Sequence, residues 1–200
     1  MQNGSITMTK NGFWKLLSLS ILISVSVACQ IGQTEEMSPL DKQLTEYALK
    51  SNDLPNGWKY SDKSWGVEFG GSGYTVSYVW AADTSMFLSN TIAIYSNEEK
   101  SRIAYQQWED LWFKSTQPWP EATYAPEDQK DDYRFECLQF PEDPILSCSY
   151  IQRHDNIIGF VKINLDNKSL TFAELNDILG ILDGRLNNVG VENKEVTPTP

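Results

Sequence analysis

Two cysteines are the first residues whose spacing suggests chemistry. Cys137 and Cys148 lie in β-type runs on either side of Pro141–Pro144, a segment rich in turn formers. If those four residues form the hairpin loop, Phe140 faces Ile145, and counting back by equal steps places Cys137 opposite Cys148. Opposite residues on antiparallel strands bring their Cβ atoms to about 4.5–5.5 Å, within reach of a disulfide. The sequence therefore predicts a structural Cys137–Cys148 bridge and an oxidising compartment.

Hydrolytic chemistry has one candidate residue. His154 is the only histidine of the chain, and it lies beside Asp155 in a predicted turn. A His-Asp pair needs a nucleophile, and the chain after Cys29 has neither a Gly-x-Ser-x-Gly motif nor a cysteine outside the predicted bridge. We therefore expect a non-enzymatic protein with no catalytic residue. A hydrolase that uses His154 as its general base is the remote alternative.

Glycine-rich and acidic segments do not match a phosphate or metal site. Gly70–Gly73 lacks the Lys-Ser/Thr pair and the following helix of a phosphate loop, so we interpret it as a hairpin loop. The acidic segment Glu127–Asp132 matches no calcium loop and is interpreted as solvated surface, with weak calcium binding as the minor alternative. We expect no metal and no cofactor.

Aromatic residues are the sequence feature that points to recognition. Trp108 and Trp112 lie one helical turn apart and are assigned to the core. Trp119 and Tyr124 lie in the proline-rich loop Gln117–Pro126, and long irregular loops carry function more often than framework segments do. The two rings are suited to stack on a sugar or to anchor a protein partner. The alternative is that the loop folds back and buries Trp119.

The charge balance excludes some classes of partner. All 27 Asp and Glu residues follow position 28, whereas two of the 16 Lys and Arg residues precede it. The remaining 14 basic and 27 acidic side chains give a net charge of −13. Such a surface repels nucleic acid and anionic lipid headgroups, so we expect neither to bind through a basic patch.

Residues 1–28 have the composition of an export signal. Lys10 and Lys15 precede the apolar stretch Leu16–Ala28, which is shorter than the roughly 20 residues that a transmembrane helix needs. We expect this segment to be removed before the mature domain folds. Residues 29–37 are then a polar tether, residues 38–190 a single domain, and residues 191–200 a disordered tail.

The end of this segment resembles the lipobox of bacterial lipoproteins, in which the cysteine after the cleavage site receives lipid. Val27, Ala28 and Cys29 fit that motif, whereas Ser26 stands where leucine is preferred, and an ordinary secretory signal fits as well. Lipidation accounts for the unpaired third cysteine. We therefore expect Cys29 to anchor the protein in a lipid bilayer on the extracytoplasmic side of the cell envelope; secretion is the alternative.

Three helices are predicted from one N-terminal pattern, a hydroxyl residue followed three positions later by an acid. Side chains in this arrangement accept hydrogen bonds from the free amides at a helix start. The predicted ranges are 38–52, 96–114 and 171–190, with N-terminal pairs Ser38 and Asp41, Ser96 and Glu99, and Thr171 and Glu174. Gly190 is placed at a left-handed cap that ends the third helix.

Strand-like segments fill the remainder and predict an α+β fold. The predicted strands are Trp65–Phe69, Tyr74–Trp80, Asn90–Tyr95, Tyr133–Phe140, Ile145–Arg153 and Ile157–Leu165. We expect an antiparallel sheet of about six strands with the three helices mainly on one face. Alternate residues of the last strand form the clearest inward row: Ile157, Gly159, Val161, Ile163 and Leu165. Both halves of the chain have the same element order, strands followed by a capped helix.

The turn Leu54-Pro55-Asn56-Gly57-Trp58 resembles the LPxGW segment of small bacterial lipoproteins and of some receptor-kinase sensor domains. In those proteins a helix, this turn and strands that lead to a final helix form an extracellular domain with disulfides. The resemblance covers the pentapeptide and the element order, and it assigns no ligand residue. Our leading expectation is a non-enzymatic binding or sensor-like module that offers the loop of residues 115–132 to a partner. The alternative is an envelope carbohydrate or small-ligand binder that uses Trp119 and Tyr124.

Overall fold

The computed structural model describes residues 37–113, 123–126, 132–139, 145–166 and 168–192, which form one antiparallel sheet and three α-helices. The predicted α+β class is confirmed. The helices are α1 (Pro39–Tyr47), α2 (Glu98–Trp112) and α3 (Phe172–Glu192). The strands are β1 (Trp58–Glu68), β2 (Gly71–Trp80), β3 (Asp83–Ile94), β4 (Asp132–Gln139), β5 (Leu146–His154) and β6 (Ile157–Leu165).

The sheet has the strand order β1-β2-β3-β6-β5-β4, so two three-stranded meanders meet at the antiparallel pair of β3 and β6. Each meander is followed by a helix, as the repeated element order predicted. The repeat does not extend to packing, because α2 lies on one face of the sheet and α3 on the other.

Two of the three helices share a face of the sheet, in agreement with the prediction. Helices α1 and α3 cover the face that carries the larger apolar cluster, with α1 over β2 and β3 and α3 over β5 and β6. Helix α2 covers β5 and β6 on the opposite face, where Trp108 packs with its ring centroid 4.7 Å from that of Phe160. Trp108 is buried and Trp112 is half-buried against the same cluster.

The predicted inward row of β6 lies under α3. Ile157, Val161, Ile163 and Leu165 belong to the larger cluster. Gly159 belongs to the same row, and a Cβ atom there would come within 2.7 Å of Leu186 Cδ1. The glycine is therefore needed for close approach of α3 to the sheet and not for a special backbone conformation.

Helix starts follow the predicted pattern at two of three places. Ser38 accepts a hydrogen bond from the Asp41 amide, and Thr171 and Glu174 form a reciprocal capping box. For α2 the predicted N-cap Ser96 is wrong by one residue, because the side chain of Asn97 accepts from the Lys100 amide. Asparagine caps a helix as well as serine does, so both residues fit the sequence pattern.

Several predicted boundaries are wrong. Helix α1 ends at Tyr47 and not near residue 52, and a separate 3-10 turn covers Ser51–Asp53. Helix α3 continues through Gly190, so this glycine is not its cap. Strands β1 and β3 begin at Trp58 and Asp83, well before the predicted starts. Nearly all of the added part of β1 is exposed and lacks apolar alternation, whereas β3 begins with three exposed polar residues before its buried Met86 and Leu88.

The predicted disulfide is confirmed. Cys137 faces Cys148 in the β4–β5 ladder, and the two residues are bonded with their Cα atoms 4.0 Å apart. Both are almost fully buried in the larger cluster. The loop Pro141–Pro144 itself lies outside the described residues, but the ladder has the register that a four-residue loop at this place requires.

Helix α1 and its following turn are fixed against both β1 and α3. Gly57 has φ of 109°, which glycine adopts readily, and Trp58 is buried with its indole N–H donating to the Ser169 carbonyl at 3.2 Å. Arg185 of α3 donates to the Ala48 carbonyl at 2.7 Å and forms a two-point ion pair with Asp53. These contacts join the LPxGW turn to the loop before α3, and the segment between α1 and that turn to α3 itself.

Candidate functional site

A groove of about 830 Å³ runs along α3 beside the segment 123–126. It is lined by Thr123, Tyr124, Ala125, Asn176, Asp177, Gly180, Ile181, Asp183, Gly184 and Asn187. None of these described lining residues is basic, and the acceptors among them include two carboxylates and two side-chain amide oxygens. It includes Tyr124, one of the two residues that the sequence nominated for binding.

The helical period explains why polar residues collect on this flank of α3. Leu175, Leu179, Leu182 and Leu186 are fully buried and face the sheet. Asn176, Gly180, Asp183 and Asn187 recur at intervals of three or four positions, which places them on one adjacent stripe of the helix. The stripe therefore borders the core along its length.

Asp183 is a buried carboxylate in the wall of the groove. Its side chain is only 4 % exposed. Oδ1 accepts a hydrogen bond of 2.6 Å from the Tyr150 hydroxyl, and Oδ2 accepts one from the Tyr124 hydroxyl. The Tyr124 ring also meets the Tyr150 ring edge to face, with centroids 5.2 Å apart. Strand β5, helix α3 and the segment 123–126 therefore meet at one carboxylate.

The protonation of Tyr150 follows from this arrangement. Burial raises the pKa of the Tyr150 hydroxyl above its ordinary value, and the negative charge of Asp183 raises it further. Tyr150 therefore stays neutral at physiological pH and acts as a donor. The carboxylate of Asp183 keeps two hydroxyl donors in a fixed geometry.

Two further acceptors of the groove have no hydrogen-bond partner among the described residues. They are the buried Oδ1 atoms of Asn176 and Asn187. An unsatisfied buried acceptor costs about 1–3 kcal/mol, so such atoms are uncommon in native structures. Between them, a Cβ atom added at Gly180 or Gly184 would meet nothing within 4 Å. Packing within the described residues therefore does not require either glycine.

Of the other residues that the sequence nominated for a site, the structure describes His154 but not Trp119 or Cys29. Trp119, Cys29 and the export segment lie outside the described residues, so the pairing of Trp119 with Tyr124 stays a prediction. His154 is the last residue of β5, and the turn begins at Asp155, whose φ is 48°. His154 Nε2 lies 3.8 Å from Asp155 Oδ2. The expectation of a non-enzymatic protein also stays a prediction.

In the described part of the chain, no helix has both the length and the apolar character needed to cross a bilayer. In that same part, no three His, Cys, Asp or Glu side chains are grouped so that they could hold a metal ion.

The sequence reasoning missed Asp183, although a signal was present. Leu175, Leu179, Leu182 and Leu186 define the buried stripe of α3, and Asp183 falls beside it within an otherwise apolar stretch. A charged residue at the border of a buried stripe requires partners. The identity of those partners depends on the placement of the segment 123–126, for which the sequence gives no local signal.

Comparison with known proteins gives a likeness of fold. No protein-family model matches the chain, and no curated protein matches it. The structure is similar to the crystal structure of the extracellular domain of PknH from Mycobacterium tuberculosis, with a TM-score of 0.53 and 9 % sequence identity. The match covers 74 % of this chain and 96 % of that chain. At this identity the likeness concerns the fold alone, and it agrees with the predicted resemblance to extracellular sensor-type domains.

Proposed function

We propose that the protein is a non-enzymatic, membrane-anchored module of the cell envelope that binds a small polyhydroxylated ligand in the α3 groove. The acceptor-rich lining of that groove carries the proposal. A carbohydrate supplies many hydroxyl donors, which match the unpartnered amide oxygens of Asn176 and Asn187 and the carboxylate of Asp177. Gly180 and Gly184 leave room for a ring to approach the helix backbone closely.

The extracytoplasmic location is supported by two observations. The Cys137–Cys148 bridge is typical of an oxidising compartment, and the similar fold of PknH belongs to an extracellular domain. The lipid anchor at Cys29 is proposed from the lipobox-like sequence. In cells fed a labelled fatty acid, the wild-type protein should carry the label and the Cys29→Ser variant should not. An unlabelled wild-type protein would favour secretion.

Ligand binding is tested with the full-length chain and a panel of mono- and disaccharides in titration calorimetry. Gly180→Leu fills the open part of the groove and should abolish binding. Ala173→Leu adds similar bulk to an exposed position of α3 that does not line the groove, and it should leave binding unchanged. Equal binding by both variants would show that the saccharide does not bind in the α3 groove.

Trp119 keeps its proposed role as a stacking residue on sequence grounds. Trp119→Ala should then weaken saccharide binding by roughly 1–3 kcal/mol, by analogy with aromatic stacking on bases. If no saccharide binds and a protein cross-links reproducibly through residues 115–132, the protein-partner alternative takes the place of the ligand proposal.

A further inference from the structure

A row of polar residues crosses the sheet on the face opposite the α3 groove. In the strand register Glu136 of β4 lies beside Ser149 of β5, and Ser149 lies beside Lys162 of β6. Neighbouring strands are about 4.8 Å apart, so the backbones of Glu136 and Lys162 are separated by roughly 10 Å with Ser149 between them. An anionic and a cationic side chain therefore flank one hydroxyl.

Glu136 has an unused acceptor. The residue is only 7 % exposed, and its buried Oε1 atom has no hydrogen-bond partner among the described residues. Its other oxygen lies 3.5 Å from Arg134 Nη2, a long contact that Arg134 shares with the Phe113 carbonyl and Glu109. A buried carboxylate oxygen without a donor is unfavourable, and native proteins keep such groups mainly where a ligand or water satisfies them.

Lys162 contacts an aromatic ring and has no anionic partner in the part of the chain that the structure describes. Its Nζ atom lies 4.0 Å from the centroid of the Trp112 ring, a cation–π contact that holds the amine without neutralising it. Burial lowers the pKa of Lys162 from its ordinary value. Within the described residues Lys162 forms no ion pair, and the indole N–H of Trp112 has no acceptor. This side of the row therefore offers two donors.

A cavity of about 130 Å³ lies between the two charged ends. It is lined by Trp112, Glu136, Leu138, Ser147, Ser149 and Lys162. This volume equals that of about four water molecules in the liquid, which suits a very small metabolite and not an oligosaccharide or a peptide. The hydroxyls of Ser147 and Ser149 are able to donate to either end of such a molecule.

We propose that this cavity binds a small zwitterion of the free α-amino acid class, with its ammonium group on Glu136 Oε1 and its carboxylate on Lys162 and the Trp112 indole N–H. A ligand with both charges satisfies both ends of the row at once, whereas a simple anion or a simple amine satisfies one. The cavity lies on the opposite face of the sheet from the α3 groove, so the two sites are independent.

Titration calorimetry with the full-length chain tests the charge requirement, with glycine, L-alanine, acetate and methylammonium as probes. Glycine or L-alanine should bind saturably, and acetate and methylammonium should bind at least about tenfold more weakly, because each lacks one charged hydrogen bond. Acetate that binds as tightly as glycine would make this a plain anion site and overturn the proposal. Absence of saturable binding by every probe would also overturn it.

Charge-removing variants test the residues. Glu136→Gln and Lys162→Met should each weaken amino acid binding by about tenfold or more. The matched controls Glu46→Gln and Lys42→Met change exposed residues of α1 and should bind as the wild type does. Unchanged binding in either cavity variant would overturn the assignment. If Glu136→Gln does not fold, the proposal is still tested by amino acid binding to Lys162→Met and by the selectivity of the wild type among the four probes.

Discussion

The hydroxyl of Tyr150 donates a hydrogen bond of 2.6 Å to Oδ1 of Asp183, and this contact fixes the buried end of the α3 groove to the middle of β5. The second oxygen of the same carboxylate accepts from Tyr124. Tyr150 and Asp183 are both nearly fully buried, so this hydrogen bond satisfies two polar groups in the interior of the domain. The groove wall and the core are therefore stabilised by the same residue.

Replacement of this carboxylate should destabilise the whole domain. Asp183→Ala removes the acceptor of the buried Tyr150 hydroxyl and one hydrogen bond from Tyr124, and we expect the free energy of unfolding to fall by about 3 kcal/mol. Asp177→Ala removes an exposed carboxylate of the same helix and should change it by less than about 0.5 kcal/mol. Urea unfolding of both variants measures the difference. Equal stability of the two would show that the carboxylate is not an anchor.

Replacement of two glycines by alanine should change the stability of the protein in opposite directions. At Gly159 a new Cβ atom would come within 2.7 Å of Leu186 Cδ1, so Gly159→Ala should destabilise the protein by about 1–3 kcal/mol. At Gly180 the added atom meets nothing within 4 Å, and alanine in a helix interior should stabilise by up to about 1 kcal/mol. Thermal unfolding measures both. A stabilising Gly159→Ala substitution would contradict the close packing of α3 on the sheet.

Loss of the disulfide should lower stability without changing the fold. The cysteines are 11 positions apart, and a loop of this size is worth about 3 kcal/mol in the chain-entropy account. We therefore expect a Cys137→Ser, Cys148→Ser variant to unfold at lower urea concentration with the same circular dichroism spectrum. A thiol titration of the oxidised, denatured wild type gives the independent measurement. Two reactive thiols in addition to Cys29 would exclude the bridge.

Tyr78 should make stability fall at high pH. Burial raises the pKa of Tyr78 to about 12, above the ordinary value of 10.0, so this contribution is complete below pH 10 and is lost as the pH rises to about 12. The Tyr78 hydroxyl also donates to the Leu49 carbonyl at 2.8 Å. Tyr78→Phe should cost about 1 kcal/mol at neutral pH, and this cost should shrink or reverse by pH 12. Parallel stability curves for the two proteins from pH 9 to 12 would contradict this prediction.

Local sequence signals predicted the parts of the fold that depend on neighbouring residues. The capping box of Thr171 and Glu174, the Cys137–Cys148 register and the inward row of β6 all arise within one element or one hairpin. The start of β1 was missed because an exposed edge strand has no buried face to impose apolar alternation. The end of α1 was missed because the residues after Tyr47, Ala48, Leu49 and Lys50, are good helix formers although the backbone is already extended at Ala48.

The candidate sites depend on contacts between distant segments, and the sequence therefore predicted them only in part. Tyr124 was nominated from its loop, but its contact with Asp183 joins residues far apart in the chain. Glu136 and Lys162 meet the same cavity only because β4, β5 and β6 are neighbours in that order. Each residue alone has the sequence context of an ordinary strand position.

The pairing of β3 with β6 at the centre of the sheet affects the folding kinetics of the chain. Every other ladder joins strands that follow one another, so each meander is able to form from short loop closures. The β3–β6 ladder instead joins Leu88 to Ile163 and Ile94 to Ile157, across α2 and the whole β4–β5 hairpin. Long-range pairing of this kind slows folding because loop entropy is lost before contacts form. We therefore expect the two meanders to form first, and their pairing through the β3–β6 ladder to limit the folding rate.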